Sequence, residues 1–91
     1  MPERSPDASP LTFPTAFPIK VMGRREDGFA QQVVDVVLAH APDFDPATVE
    51  MRPSSAGNYL SVTVTIEARS REQLDALYQA LSGHPKVMMV L

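Results

Sequence analysis

Met51–Ala68, MRPSSAGNYLSVTVTIEA, is the stretch on which the reading of this chain turns. From Leu60 to Glu67 apolar and polar residues alternate without a break. Leu60, Val62, Val64 and Ile66 point one way, and Ser61, Thr63, Thr65 and Glu67 the other. A period of two in β-branched side chains marks a half-buried strand. Upstream, Thr48–Arg52 is a shorter strand, with Val49 and Met51 inward and Thr48, Glu50 and Arg52 outward. Pro53 cannot donate to a ladder and places this strand at an edge. Ser54-Ser55-Ala56-Gly57-Asn58 connects the two, with Gly57 or Asn58 taking a positive φ.

The alternation at Phe17–Met22 predicts another strand, with Phe17, Ile19 and Val21 inward, Lys20 and Met22 outward, and Pro18 at its start. Arg24-Arg25-Glu26-Asp27-Gly28 follows as a charged loop. Phe29–Ala41 carries Phe29, Ala30, Val33, Val36, Val37 and His40 on one broad face, the pattern of an amphipathic helix. Asp27 is its expected cap and Pro42 its stop, and Phe44 is free to tuck under. A second helix starts at Ser70-Arg71-Glu72-Gln73, which has capping-box spacing. Leu74, Leu77, Tyr78 and Leu81 form its stripe, and Gly83 closes it. Lys86–Leu91 is a last, almost wholly apolar strand. Its expected inward residues are Val87 and Met89, and its outward ones Met88 and Val90.

The order is β-α-β-β-α-β. Two crossover helices on one face of a four-stranded antiparallel sheet give an α+β, ferredoxin-like sandwich, with the first and third strands central. The expected core is Phe17, Ile19, Val21, Phe29, Val33, Val36, Val37, Val49, Met51, Leu60, Val62, Val64, Ile66, Leu74, Leu77, Tyr78, Leu81, Val87 and Met89.

Composition sets outer limits. Ninety-one residues make one domain, read here as residues 13–91 behind a disordered, proline-punctuated tail, Met1–Thr12. The chain has no apolar run of membrane-spanning length. The Met-Pro-Glu-Arg start has no apolar stretch behind it and does not read as a secretory signal. Without cysteine there are no disulfides or thiolate metal sites, and a cytoplasmic location is expected. A formal charge of −3 argues against general attraction to nucleic acid or anionic lipid.

The chain resembles the YbeD-like family of small bacterial proteins. The resemblance rests on Phe13-Pro14-Thr15-Ala16-Phe17 with Lys20-Val21-Met22-Gly23, on Pro53-Ser54-Ser55-Ala56-Gly57-Asn58-Tyr59-Leu60-Ser61-Val62, and on Met89-Val90-Leu91. It covers the chain from about Leu11 onward. It implies a ferredoxin-like fold similar to ACT-type regulatory domains, without an established activity. Members are often encoded near lipoate-attachment enzymes, which hints at a regulatory link.

Two surfaces are candidate sites. The sheet face away from the helices carries Lys20, Met22, Arg52, Ser61 and Thr63, and reads as half of an interface, with a homodimer as one expected partnership. The Pro53–Tyr59 turn, with Ser54, Ser55, Gly57, Asn58 and Tyr59, shares one end of the sheet with Arg24 and Arg25. Serine hydroxyls and glycine-flanked amides there are the ingredients of an anion-accepting nest. Catalytic patterns are absent. His40 and His84 have no acidic or histidine partner at ligand spacing, so neither a metal nor a cofactor is expected. Arg24 and Asn58 invite comparison with acylphosphatases, but Asn58 sits at a turn. An RNA-binding RRM-like module needs aromatics on the central strands, where this chain has Lys20, Met22, Ser61, Thr63 and Thr65. The expectation is a non-enzymatic regulatory or adaptor domain that binds a small metabolite or a partner protein.

Overall fold

A computed structural model describes residues 12–91. The expectation of a disordered Met1–Thr12 falls, but for Thr12, outside the described residues. The elements are β1 (Thr15–Arg24), α1 (Phe29–His40), β2 (Glu50–Pro53), β3 (Tyr59–Ala68), α2 (Arg71–Ser82) and β4 (Val87–Val90), with a 3-10 turn at Pro46–Thr48. All pairings are antiparallel, in the order β2-β3-β1-β4. The ferredoxin-like arrangement, with the first and third strands central, is therefore the observed one.

β1 and β3 pair over ten residues, from Thr15 opposite Ala68 to Arg24 opposite Tyr59. Residues directly opposite share a face, so Ile19, Val21, Val62, Val64 and Ile66 all lie under the helices and are buried. α1 contributes Phe29, Val33, Val34 and Val37 to this core, and α2 contributes Leu74, Leu77 and Leu81. Phe44 and Ala41 fill the end beyond α1. At the margin the Tyr78 ring meets Phe17 edge to face, with centroids 6.4 Å apart.

Pro18 lies well inside β1, opposite Thr65, and not at the strand's start as the sequence suggested. The reason is local to the ladder. Lys20 exchanges both backbone bonds with Leu91, donating at 3.2 Å and accepting at 2.8 Å, so its polar groups face the β4 side. Pro18, two residues earlier, faces the same way. Nothing in β4 reaches that far, so no donor is missed.

Four further expectations change. Gly28, at φ 83°, and not Asp27, is the N-cap of α1, and no side chain caps that end. Ser70 does accept from the Gln73 amide at 3.1 Å, but the Gln73 side-chain oxygen accepts from Arg69 at 2.7 Å and not from Ser70. The Gln73 side-chain nitrogen donates to the His40 carbonyl at 2.9 Å, tying the end of α1 to the start of α2. Met51 is not core: it faces the helix side, but α1 lies over β1 and β3 and leaves it 58% exposed. Met89 is also outside the core. A register shift between Met22 and Gly23 pairs Met22 with Met89 and Val21 with Val90. Val87 and Val90 therefore share the core face, three residues apart, and Met89 moves to the open face with Met22.

Gly23 is the most tightly enclosed of the glycines. A Cβ there would lie 2.5 Å from both the Lys86 carbonyl oxygen and the Phe29 ring. Gly23→Ala is expected to destabilise the fold by about 2–3 kcal/mol, checked by urea denaturation. Both ring nitrogens of His40 are buried without a hydrogen-bond partner. His40→Leu, which removes them while keeping apolar volume, is expected to raise stability by about 1 kcal/mol in the same assay.

Candidate functional site

The sequence-derived site residues fall into two groups, one on the open face of the sheet and one at its loop end, with Ser54 bordering both. On the open face, the register sets out cross-sheet rows. One row runs Glu50, Thr63, Lys20, Leu91, and the next Arg52, Ser61, Met22, Met89. Tyr59 and Arg24 face each other at the end of the central pair. Thus Lys20, Met22, Arg24, Arg52, Tyr59, Ser61 and Thr63 share one surface. Met89 and Leu91 belong to it as well, and strict alternation had missed both. No ion pair among the described residues engages Lys20, Arg24, Arg25 or Arg52.

Two shallow depressions occupy this face. One, of about 380 Å³, lies between Lys20, Glu50, Arg52 and Thr63 and is largely polar. Its neighbour, of about 260 Å³, is mostly apolar, lined by Met22, Pro53, Tyr59 and Leu91 together with Lys20, Arg52, Ser54 and Ser61. An apolar bed flanked by two cations suits a ligand with an acidic head and an apolar body.

The second group gathers at the loop end. The Arg25 amide donates to the Asn58 carbonyl at 3.0 Å, so the loop after β1 and the hairpin between β2 and β3 do meet. Gly57, at φ 80°, supplies the left-handed turn residue, and the Arg25 guanidinium lies close to it. The same bonds use up much of what an anion nest would need. The Gly57 amide donates to the Ser54 carbonyl at 2.9 Å, and the Ser54 hydroxyl accepts from the Tyr59 amide at 3.2 Å. Ser55 stays exposed in the turn. The hollow here, about 600 Å³, is lined by Glu26 and Asp27 as well as Arg25. Ser54 and Gly57 thus close the hairpin, and two carboxylates offset the arginine.

Glu26 is itself anchored: its carboxylate accepts from Lys86 Nζ at 2.8 Å, joining the loop after β1 to the approach to β4. The hydrogen bond from Lys86, and then its charge, hold the Glu26 carboxyl below its ordinary value of 4.5. At the far end of the sheet the Asp43–Arg69 pair, led by its hydrogen bond, lowers Asp43 in the same way. His84 accepts from the Lys86 amide through Nδ1 at 3.1 Å and serves the turn before β4. Among the described residues no cluster of His, Asp and Glu could hold a metal ion, and no helix is long and apolar enough to cross a membrane.

The family profile described as "Protein of unknown function (DUF493)" matches residues 8–91. A UPF0250 protein of Bordetella pertussis is 58% identical over 86 residues, 94% of each chain. One of Janthinobacterium is 56% identical over 91 residues, the whole of both. Among solved structures, protein HP0495 of H. pylori superposes with a TM-score of 0.73 over 97% of this chain and 96% of its own, at 17% identity. The ACT domain of the Chlorobium tepidum GTP pyrophosphokinase gives 0.66 over 85% and 83%, also at 17% identity. At that identity the structural likeness establishes the fold alone.

The Glu26–Lys86 contact has a testable pH signature. A carboxyl lowered by folding stabilises the folded state fully above 4.5, and that contribution disappears as pH falls through the lowered folded value. The Glu26 carboxyl, followed by NMR, is expected to titrate below 4.5 in the native chain. In Lys86→Met its midpoint should return towards that value. An unchanged midpoint would show that Lys86 is not the cause.

Proposed function

The chain belongs to the family described as protein of unknown function (DUF493), the UPF0250 or YbeD-like proteins, and we propose that it is a non-enzymatic regulatory domain whose open sheet face takes an acidic small metabolite. The observation that carries this reading is the apolar depression of Met22, Pro53, Tyr59 and Leu91 between Lys20 and Arg52. Taking an acid onto a surface with two cations and few competing carboxylates costs little desolvation that the cations do not offset. Glu50 is the nearby exception, and it sits in the adjoining polar hollow. The ACT domain of the GTP pyrophosphokinase shares the fold, which makes a regulatory role a reasonable analogy and no more.

Catalysis finds little support in the same geometry. Asn58 lies on the hairpin turn with its backbone carbonyl engaged by the Arg25 amide, and Arg24 pairs with Tyr59 at the end of β1, on the open face. For base stacking the open face offers Tyr59 alone, at the end of β3, where an RRM-like surface needs aromatics along the central strands. We place the protein in the cytoplasm, where a cysteine-free domain has no need of an oxidising compartment. A protein partner is the second reading. Met88 and Met89 favour it, because they are exposed and lie outside the depression.

Amide shifts of the isotope-labelled chain should report binding when aliphatic and aromatic carboxylates, amino acids and nucleoside monophosphates are titrated in turn. Saturable shifts at Lys20, Met22, Arg52 and Tyr59 are expected with at least one acidic class. They should be lost in Lys20→Glu and in Arg52→Glu. Shifts confined to the loop end, or none with any probe, would overturn the proposal.

A further inference from the structure

Among the described residues the sheet ends in two unpaired edges, and they are built differently. β2 is four residues long, carries Glu50 and Arg52, and ends at Pro53. Those are the devices that keep an edge strand from recruiting another. β4 has none of them: Val87-Met88-Met89-Val90 and the adjoining Leu91 hold neither a charged side chain nor a proline. Met88 is 60% exposed, Met89 51% and Leu91 60%. Three of the five large exposed hydrophobic residues among the described residues thus lie in four consecutive positions of one edge.

The backbone at this edge is also poised. Leu91 directs both its polar groups at Lys20, so the N–H and C=O of Val90, one residue away, point outward from the sheet. We propose that β4 docks against β4 of a second copy of this chain, antiparallel, about a two-fold axis at Val90. Each Val90 then donates to and accepts from the partner's Val90. Leu91 comes opposite the partner's Met89 in a non-hydrogen-bonded pair, the kind in which side chains approach most closely. Both side chains lie on the open face, so the two most exposed apolar positions of that surface cover each other.

A second copy fits better than an unrelated strand for two reasons. A two-fold interface must be self-complementary, and Met89-Val90-Leu91 is, because its outer residues are both long and apolar. No charged side chain lies between Val87 and Leu91, so no side-chain charges of like sign meet at the seam. The assembly also closes. The eight-stranded sheet would have β2 at both outer edges, where Glu50, Arg52 and Pro53 block further addition. This inference does not rest on the metabolite reading, which concerns Lys20, Arg52 and Tyr59.

The test is sedimentation equilibrium of the full chain from micromolar to millimolar concentration, read as a mass approaching twice that of the chain. Val90→Pro removes a donor that points away from β1 and serves no bond among the described residues, and Met89→Glu places a charge where the partner's Leu91 would pack. Each is expected to weaken dimerisation by roughly tenfold or more with the circular dichroism unchanged. Met51→Glu, on the opposite edge, is expected to leave it intact. A monomer at every concentration, or a dimer that survives both Val90→Pro and Met89→Glu, would overturn the proposal. Should Val90→Pro fail to fold, Met89→Glu at its exposed position decides alone.

Discussion

Gly23 is the point at which the sheet, the first helix and the last strand are forced into one geometry. Its missing side chain lets the Phe29 ring lie directly on β1 and lets the Lys86 carbonyl approach from the other flank. Phe29 is the first residue of α1, so this contact sets where the helix leaves the sheet. The neighbouring register shift accommodates β4 by setting one extra residue against β1. Everything about the last strand follows from that single insertion. It puts both Val87 and Val90 under α2, releases Met89 to the open face and turns the polar groups of Val90 outward. Interior packing at one glycine thereby decides what the protein shows to solvent at its far edge.

Where the fold was legible in the sequence, the signal was local and periodic. β3 alternates strictly between branched apolar residues and small polar ones, and its face assignment holds along its whole length. The stripe of α2 and the Ser70 cap are equally local. What was misread depends on neighbours distant in sequence. Met51 has the inward parity of a core residue, but whether a helix covers that part of the sheet is a matter of tertiary packing. In VMMVL every residue is apolar, so no alternation records the bulge, and Met89 and Val90 exchange roles unseen. Gln73 has the spacing to serve Ser70, yet the chain's path before α2 brings the Arg69 amide to it instead. Val34, Ala41 and Ala68 were missed because small or flanking residues add little to a hydrophobic stripe.

The candidate site was legible as residue types and not as a grouping. Adjacent in sequence, Arg24 and Arg25 serve different surfaces: one ends β1 on the open face, the other bonds the hairpin through its amide. The nest suggested by Ser54 and Gly57 depended on free donors, and hairpin closure uses the backbone amides of Ser54, Gly57 and Tyr59. Electrostatics points the same way. Glu26 and Asp27 accompany Arg25 in the loop hollow, whereas Lys20 and Arg52 flank the apolar bed on the open face without a partner among the described residues. A site is better judged by which groups remain uncommitted than by which groups are present.

The open face and the β4 edge are continuous, and that continuity gives the architecture its functional logic. Leu91 both walls the apolar depression and pairs with Lys20 through its backbone. A strand laid beside β4 would extend the floor of the depression past Leu91 and enclose a side now open to solvent. Lys20, one strand inward, would then sit in a less aqueous setting, where its attraction for an acid grows. Occupation of the edge and occupation of the face would therefore favour each other through shared side chains, without any change in the fold of either chain. In a four-stranded domain whose open-face hollows are exposed to solvent, such coupling is a direct way for a surface to become selective.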